Sequence, residues 1–374
     1  MEFGLSEEQE LIRDSFRGTL ARICELDTVR QTAEAGAALD ASIWGELCAL
    51  GMAGLLIGED YGGAGLGLLE AAVVAEELGR HVAPVPFAAS AVMAPLAVSL
   101  GGDEEQRREW LPAMADGSLR LGVAVSEAAA GAREDAGVTA ANGVLSGRAL
   151  FVLDGAGAGG FVVADNEGGL HLVRGEATGL DKVALKTIDR TRAICELRFE
   201  NTPADPLRQG DGVLQTVIDA GRVVLAADSL GAGEVMLQRA VDYAAERKQF
   251  GRVIASFQAV KHMCAEMAAE LQPCRALVWH AAYVMQHEPG ENEPGKHEPA
   301  ELSLAAAFAK SHVDEVGRFV ARTSTEVHGG MGFTDLMGLH YWFKRLGVNR
   351  AYLGSPERVR TEAARLQGFA ASIR

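Results

Sequence analysis

The spacing of apolar residues changes twice along the chain, and these changes constrain the fold most. As far as residue 118 the spacing is helical; from Leu119 apolar and polar residues alternate in short segments, and beyond Pro206 helical spacing returns. Short alternating segments separated by glycine or asparagine turns are typical of a small antiparallel barrel or sandwich. The pattern therefore predicts an α+β protein with helical domains at 1–118 and 207–374 and a β domain at 119–206.

Finer predictions follow from the same spacing. In the β domain, the alternation from residue 193 to 199 predicts that four side chains face the core: Ala193, Cys195, Leu197 and Phe199. In the C-terminal domain, the pattern predicts a helix from Ser256 into the 270s, a separate helix to about Met285, and another from about Ala300 to Thr325.

The stretch from Gly221 to Gln258 combines a helical stripe with a turn. Arg247 falls on the stripe of Ala232, Met236, Ala240 and Tyr243, so it is expected to continue a buried face. Gly251 permits a turn, and a second helical pattern follows it, which predicts a helical hairpin. The planar, permanently charged guanidinium of an arginine at such a corner suits a diphosphate. The alternative is a surface arginine at a helix end.

Adjacent glycines follow the predicted helix that ends near Thr325. Gly329, Gly330 and Gly332 would let the backbone approach a bulky ligand, and their N–H groups can bind phosphate oxygens. A helix C-cap is the alternative, which explains one glycine more easily than three.

These two segments resemble the acyl-CoA dehydrogenase family. The corner matches the family's R-x-x-F-G pattern, a following hydrophobic residue and F-Q through Arg247, Phe250, Gly251, Ile254, Phe257 and Gln258. The second segment is similar to the family's Q-x-x-G-G-x-G, with Glu326 in place of the usual glutamine before Gly329 and Gly330. The resemblance implies the family fold, with a four-helix-bundle-like C-terminal domain, and FAD as cofactor. It also implies that Arg247, Phe250, Ile254, Gln258, Glu326, Gly329 and Gly330 contact the FAD of a partner subunit.

The family places the flavin ring against its β domain, and the resemblance there is incomplete. Ser126 and Phe151 keep a short hydroxyl and an aromatic wall, so the resemblance implies that they contact FAD. Ala132 and Leu153, however, stand where the family has hydroxyl groups. Each lost hydrogen bond costs about 0.5–1.5 kcal/mol of binding.

The resemblance also implies where a catalytic glutamate belongs, and this chain has none there. One family position falls in the turn Tyr352 to Ser355, at Leu353, and the other directly before Arg222, at Gly221. Neither residue can take a proton, so the catalytic base stays unassigned. Ser355 keeps the turn as the predicted N-cap of a helix and is assigned to cofactor binding, whereas Arg222 is assigned to substrate binding.

Three functions remain open from the sequence. The first is a subunit of an FAD-dependent acyl-CoA dehydrogenase that oxidises a bulky or steroid-type acyl-CoA, with the glutamate supplied by a homologous chain in a heterotetramer. The second is a self-sufficient homo-oligomer in which Asp335 or His340 has become the base. The third is a non-catalytic scaffold. The resemblance implies electron-transfer flavoprotein as the electron acceptor.

Composition excludes several other classes. The formal charge of −16 and the pI near 5.1 argue against a nucleic-acid or anionic-membrane surface. The absence of a signal peptide and of a run long enough to span a bilayer predicts a cytoplasmic protein. The five cysteines form no CxxC pair, so thiols are expected rather than disulfides or a metal site. His287 and His297 lie in a segment predicted to be a solvated loop, and no metal role is expected for them.

Overall fold

The structure is a computed structural model that describes residues 4–36, 39–208, 212–286 and 299–369. It confirms the predicted fold class: helices come first, two small sheets follow, and a second set of helices completes the chain. The predicted loop with His287 and His297 lies outside the described residues.

Helix α4 is the most extensively buried of the N-terminal α-helices. The elements are α1 (Glu7–Ile23), α2 (Leu26–Ala35), α3 (Ala41–Ala49), α4 (Leu68–Arg80), a π-helix (Ala88–Met93) that continues into α5 (Ala94–Gly101), and α6 (Glu104–Ala115). Ser6 and Gln9 cap the start of α1 reciprocally, since each side chain bonds the backbone of the other residue. Helix α4 is almost entirely buried, whereas α1 contributes only Phe16 and Leu20 to the core.

Two four-stranded sheets form the β domain. Their elements are β1 (Leu121–Ala124), α7 (Ser126–Ala130), β2 (Gly137–Ala141), β3 (Val144–Val152), β4 (Gly160–Ala164), β5 (Leu170–Arg174), β6 (Leu180–Ala184), β7 (Cys195–Pro203) and β8 (Asp205–Leu207). The strand orders are β1-β4-β5-β8 and β2-β3-β7-β6. All pairs within these sheets are antiparallel except β1 with β4.

The predicted inward positions of this domain are confirmed, and one more residue is buried. Ala193, Cys195, Leu197 and Phe199 are all buried. Ile194 lies between two of them and is buried as well, because it packs into the larger helical core and not into the core between the sheets. The chain just before β7 therefore contacts two cores at once.

The C-terminal part is built on long helices. The elements are α8 (Val213–Glu246), the short strands β9 (Lys248–Gln249) and β10 (Arg252–Val253), α9 (Gln258–Gln286), α10 (Pro299–His328), α11 (Leu339–Ala351) and α12 (Pro356–Leu366). The predicted helical hairpin is thus confirmed as α8 and α9. The predicted division of α9 into two helices is wrong, because the helix continues through Pro273. Pro273 is exposed, and the buried stripe of Met267, Leu271, Cys274 and Val278 passes it without interruption.

Helix α8 connects the N-terminal helices with the C-terminal helices. Its first two-thirds are buried, and it packs closely against α4 and α10. The crossing with α4 leaves no room for a side chain: a Cβ built on Gly79 would lie 1.9 Å from the Asp228 carbonyl oxygen, and one on Gly231 would lie 1.9 Å from that of Glu76. Helix α8 carries Gly221 and Arg222 in its buried part, and Arg247 follows its last residue. The two predicted parts of the site, at Gly221 and Arg222 and at Arg247, therefore lie on the same helix.

Candidate functional site

Arg247 is the C-cap of α8 and not part of its buried face. Its backbone is extended, with φ −67° and ψ 124°, and its N–H still donates to the Tyr243 carbonyl at 2.8 Å. The buried stripe ends at Ala244, and Arg247 is exposed. The expectation of burial is therefore wrong, because the helix ends one residue earlier and the chain turns outward. No carboxylate in the described residues pairs with the Arg247 guanidinium.

The turn after Arg247 presents an aromatic ring to the outside. Phe250 and Gly251 both have positive φ, 52° and 78°, as a two-residue hairpin turn requires. Phenylalanine is unusual in this conformation, and its side chain is 92% exposed. Its one ring contact is the edge of Phe257 at 6.1 Å. Ile254 closes the hairpin, since its N–H donates to the Arg247 carbonyl at 2.7 Å.

The glycine segment lies beside this corner. Helix α10 ends at His328, whose ring stacks on Tyr243 at 4.5 Å and so joins the end of α10 to the end of α8. The 3-10 turn Gly329–Phe333 follows. Gly329 needs its glycine because its φ is +58°, whereas a Cβ on Gly330 would meet no atom within 4 Å. Gly330 therefore leaves open space that the chain itself does not use.

The remaining predicted residues of this surface are accessible. Gln258 begins α9, and Glu326 lies in the last turn of α10; both side chains are exposed. Glu326 has no ion-pair partner among the described residues. We call the set Arg247, Phe250, Ile254, Gln258, Glu326, Gly329 and Gly330 the corner surface. Its guanidinium and open glycine backbone are groups that can bind the oxygens of a diphosphate.

The flavin wall in the β domain fits the cofactor less well. Ser126 donates its hydroxyl hydrogen to the Phe151 carbonyl at 3.1 Å. The Arg133 guanidinium lies over the Phe151 ring, 4.8 Å from its centroid, where it competes with a stacked ligand. Leu153 is buried, and both its backbone groups pair with Val123. The contacts that the sequence predicts for this wall are therefore largely used by the chain itself.

The two family positions for a catalytic glutamate meet in space. A Cβ built on Gly221 would lie 2.6 Å from Leu353 Cδ1 and 2.7 Å from Met93 Sδ. Leu353 is 4% exposed and Met93 is fully buried, so apolar atoms fill this place. Leu353 also has a left-handed φ of 54°. Sequence reasoning missed Met93, because no pattern connects the end of the π-helix with Gly221 on α8.

The Arg222 guanidinium is held by hydrogen bonds to Leu353, Glu362 and Asp219. Its Nε donates to the Leu353 carbonyl at 3.0 Å, and its Nη atoms donate to the two Glu362 oxygens at 2.9 and 2.8 Å. Asp219 takes a further hydrogen bond from Nη1 at 3.1 Å. Burial opposes ionisation of Glu362, but its bonds to Arg222 outweigh this and hold its pKa below the usual range. Glu362 was not predicted as a site residue.

A cavity of about 440 Å³ lies on the outer side of this ion pair. Its polar lining comes mainly from α8 and α12: Gln215, Arg222, Arg358, Thr361, Glu362 and Arg365. Ser355 caps α12 as predicted, since its hydroxyl accepts from the Arg358 N–H at 3.5 Å. Asp219 is buried beside the cavity, and burial raises the pKa of its carboxyl group. It accepts from Ser303 at 2.6 Å, so it is held in place.

Asp335 and His340 do not lie near the family's base positions. They sit at the start of α11, where His340 Nε2 is 3.5 Å from an Asp335 oxygen and the Asp335 side chain is 67% exposed. Leu353 follows the other end of α11, which puts it about 20 Å away at the helical rise of about 1.5 Å per residue. This separation argues against the hypothesis that either residue replaces the base in this chain's own cleft.

Two general features bear on the class of protein. Within the described ranges, no helix combines the length and the apolar character that crossing a bilayer requires. The same ranges contain no group of three or more histidine, cysteine or acidic side chains that could hold a metal ion. All five cysteines are free; Cys24, Cys195 and Cys274 are buried, whereas Cys48 and Cys264 are half-buried.

Comparison with known families identifies both helical parts of the chain. Residues 6–118 match the family description "Acyl-CoA dehydrogenase, N-terminal domain", and residues 208–367 match "Acyl-CoA dehydrogenase, C-terminal domain". Among curated proteins, "Acyl-CoA dehydrogenase IpdE2" of Mycobacterium tuberculosis is 30% identical over 94% of this chain and 95% of its own length.

Solved structures agree with these matches. The "Tcur3481-Tcur3483 steroid ACAD G363A variant" superposes with a TM-score of 0.86 and 30% identity, over 97% of this chain and 98% of the other. The ChsE4-ChsE5 complex of Mycobacterium tuberculosis has a TM-score of 0.88 at 24% identity, over the full length of both chains, and supports the fold.

Proposed function

This chain belongs to the acyl-CoA dehydrogenase family of FAD-dependent oxidoreductases, and we propose that it is the subunit of a heteromeric enzyme that completes a partner's FAD site without supplying the catalytic base. In this proposal a homologous chain carries the glutamate and the flavin wall. Each chain occurs twice in the assembled heterotetramer.

The reaction sets the demands on the residues. A carboxylate must remove the α proton of the thioester, and FAD, when bound, accepts the β hydride. This chain holds Leu353 and Gly221 where the carboxylate belongs. Its contribution is binding: Arg247 and the backbone at Gly329 and Gly330 neutralise and position the diphosphate, while Phe250 contacts the cofactor or the partner.

One observation carries the proposal. Gly221 lies inside α8 and Arg247 follows its end, so the two are about 39 Å apart at the rise of about 1.5 Å per residue. A single cofactor site cannot span that length within one chain. This distance supports a corner surface that serves a site on another chain. Exposed aromatic rings support the same proposal: Phe250 is 92% exposed, and Phe333, which ends the turn after Gly330, is 81% exposed.

The identity of the partner is inferred from a relative. The structure at 30% identity is named as a steroid ACAD that joins two proteins, Tcur3481 and Tcur3483. We propose the same kind of assembly here, acting on a bulky or steroid-type acyl-CoA. Another solved structure, at 26% identity, is titled as an electron-transferring flavoprotein study. This supports electron-transfer flavoprotein as the acceptor of the electrons.

The test compares the chain alone with the chain co-expressed with a homologous partner. We expect a colourless protein alone and a flavin-containing complex that oxidises acyl-CoA. In the complex, Arg247→Ala should lower the flavin content at least tenfold, whereas Lys248→Ala, an exposed cation in the same hairpin, should leave it unchanged.

Three results would contradict parts of this proposal. A yellow, active enzyme from this chain alone would show that it is self-sufficient. A complex without flavin would favour a scaffold. Equal effects of Arg247→Ala and Lys248→Ala would mean that the corner attracts FAD only by its general charge.

A further inference from the structure

A buried histidine connects the two parts of the corner surface. His328 is the last residue of α10, directly before Gly329 and Gly330, and it is only 2% exposed. Its ring stacks on Tyr243 with 26° between the ring planes, and the Tyr243 carbonyl oxygen accepts the N–H of Arg247. One imidazole therefore joins the hairpin after α8 to the glycine segment after α10.

The hydrogen bonding of the His328 ring identifies the nitrogen that can take up a proton. Nδ1 lies 2.7 Å from the Ser324 carbonyl oxygen, and because a carbonyl oxygen can only accept, Nδ1 carries the hydrogen of the neutral ring. Nε2 is buried and has no hydrogen-bond partner among the described residues. A proton on Nε2 would therefore place a charged donor in the interior without an acceptor.

The groups around the ring also oppose its protonation. The charged side chain that acts on it is Arg239 of α8, which is itself a cation. Tyr243 is its titratable neighbour on α8, and the turn Gly329–Phe333 has no titratable side chain. Within the described ranges, no carboxylate forms an ion pair with the ring. Burial lowers the pKa of His328, the bond to the α10 carbonyl opposes this shift, and Arg239 lowers the pKa further.

The turn after His328 packs against the same residue. It folds back onto the end of α10 so closely that a Cβ on Gly332 would lie 3.1 Å from His328 Cβ and 2.7 Å from the Thr325 carbonyl oxygen. Movement of the ring toward water would therefore displace the turn, and with it the backbone of Gly329 and Gly330.

We propose that His328 is a positioning residue whose protonation releases the cofactor from the corner surface. This proposal rests on the proposed function. While the ring is neutral it stays on Tyr243, and Arg247, Gly329 and Gly330 keep the arrangement that binds the diphosphate. A protonated ring leaves the stack to reach water, and the glycine segment moves away from Arg247.

Proton linkage gives the direction and size of the pH effect. The ordinary pKa of a histidine is about 6.5, and the packed His328 ring has a lower one. Above pH 6.5 the ring is neutral in both arrangements, so FAD binding does not change. As the pH falls below that value, the loosened arrangement takes up the proton first. At pH 5.5 this weakens FAD binding by up to about tenfold.

Flavin fluorescence of the assembled complex gives the FAD dissociation constant at pH 7.5 and pH 5.5. In wild type this constant should rise about three- to tenfold at the lower pH. His328→Phe keeps a planar ring on Tyr243 but cannot take up a proton, so its constant should be the same at both pH values. His328→Ala removes the ring and should bind FAD weakly at both.

His340→Phe is the matched control. His340 is a partly buried histidine whose ring lies 4.2 Å from that of Tyr341, and burial lowers its pKa as well, but it lies on α11 and is not part of the corner surface. It should show the pH dependence of wild type. A wild-type constant that does not change between the two pH values would overturn the proposal, and so would equal pH dependence in wild type and His328→Phe.

A second measurement does not depend on FAD. Amide hydrogen exchange of the isolated chain, corrected for the intrinsic effect of pH, is followed over residues 324–334. Protection should fall several-fold between pH 7.5 and pH 5.5 in wild type and stay constant in His328→Phe. A complex without FAD would contradict only the proposed function, because the exchange of the isolated chain still decides whether protonation loosens the turn. Constant protection in wild type would contradict the role of His328.

Discussion

Gly330 is a glycine that the chain's own packing does not require. Its φ is not left-handed, and a Cβ there would meet no atom within 4 Å. We expect Gly330→Ala to leave the melting temperature of the isolated chain within about 2 °C, because a surface substitution changes stability by at most about 0.5 kcal/mol. In the complex it should lower flavin content several-fold, because on the proposed function the methyl group would stand where the partner's FAD approaches.

The control for this prediction is Gly347→Ala. Gly347 is also exposed, and a Cβ there also meets open space, but it lies on α11 away from the corner surface. The complex that contains Gly347→Ala should keep its flavin. If Gly330→Ala keeps its flavin too, the glycine segment does not contact the cofactor.

The Arg222–Glu362 pair should make stability depend on pH. The folded-state pKa of Glu362 is lowered, so its contribution is present above the unfolded value of about 4.3 and is lost as pH falls through the lower folded value. Glu362→Gln leaves Asp219 as the one carboxylate that pairs with Arg222 among the described residues, and we expect a loss of about 2–4 kcal/mol in unfolding free energy at pH 7.

Urea unfolding of the wild-type chain and of Glu362→Gln, at pH 7 and at pH 3, measures this effect. The difference between wild type and Glu362→Gln should shrink at pH 3, because this pH lies below the unfolded pKa of a glutamate, so that proton uptake favours the unfolded wild-type chain. A difference that stays constant across this range would mean that the ion pair contributes nothing through its charge. Thr361→Val, which alters the next residue of the cavity lining, serves as the control.

At the scale of elements, the α4–α8 crossing controls the position of Gly221. The Cβ of Gly79→Ala would clash with the Asp228 carbonyl oxygen, and that of Gly231→Ala with the Glu76 carbonyl oxygen, each at 1.9 Å. Backbone cannot yield as a side chain does, so each substitution should cost about 2–3 kcal/mol. The double variant should cost less than the sum, because one displacement of the helices relieves both clashes.

Chemical denaturation of the two single variants and the double variant checks this prediction. Gly45→Ala is the control: it lies on α3 with open space at its Cβ and should not destabilise the chain. Strict additivity of the two crossing variants would mean that the clashes are relieved independently.

Sequence patterns predicted elements better than they predicted contacts between elements. Periodicity identified the hairpin of α8 and α9, because helical spacing reports burial on one face. It failed at Pro273, where the missing hydrogen bond faces solvent and the buried stripe continues. It also missed strand β6, an edge strand whose side chains are mostly exposed and therefore do not alternate. The closeness of Met93 to Gly221 could not be predicted, since it depends on how distant helices cross.

At the scale of the whole molecule, α8 is long enough to hold the corner surface far from the base position at Gly221. Cofactor contact at the corner and base catalysis in the cleft are therefore separate functions of one chain. The corner surface lies about 39 Å from Gly221 along this helix, so on the proposed function one chain can contact a partner's cofactor without using the base position in its own cleft. This separation is why the loss of the base at Leu353 and the retention of Arg247 can occur in one sequence.

Restoring the base in this chain should therefore not restore catalysis. Leu353→Glu puts a buried carboxylate beside Gly221, and burial raises its pKa, but on the proposed function the FAD is bound by the partner and does not lie next to this carboxylate. Paired with a partner whose catalytic glutamate is changed to glutamine, this variant should stay as inactive as wild type in the same pairing. Removal of a general base costs about 10²- to 10⁴-fold in rate.

Anaerobic reduction of the flavin by acyl-CoA measures this prediction directly. With an intact partner, Leu353→Glu should reduce flavin at the wild-type rate, because the variant lies outside the working site. Recovery of a tenth or more of that rate with the base-deficient partner would mean that this chain's cleft admits substrate and flavin together. The Ser126–Phe151 hydrogen bond and the Arg133 guanidinium over Phe151 argue against that result, since both use groups that a bound flavin would need.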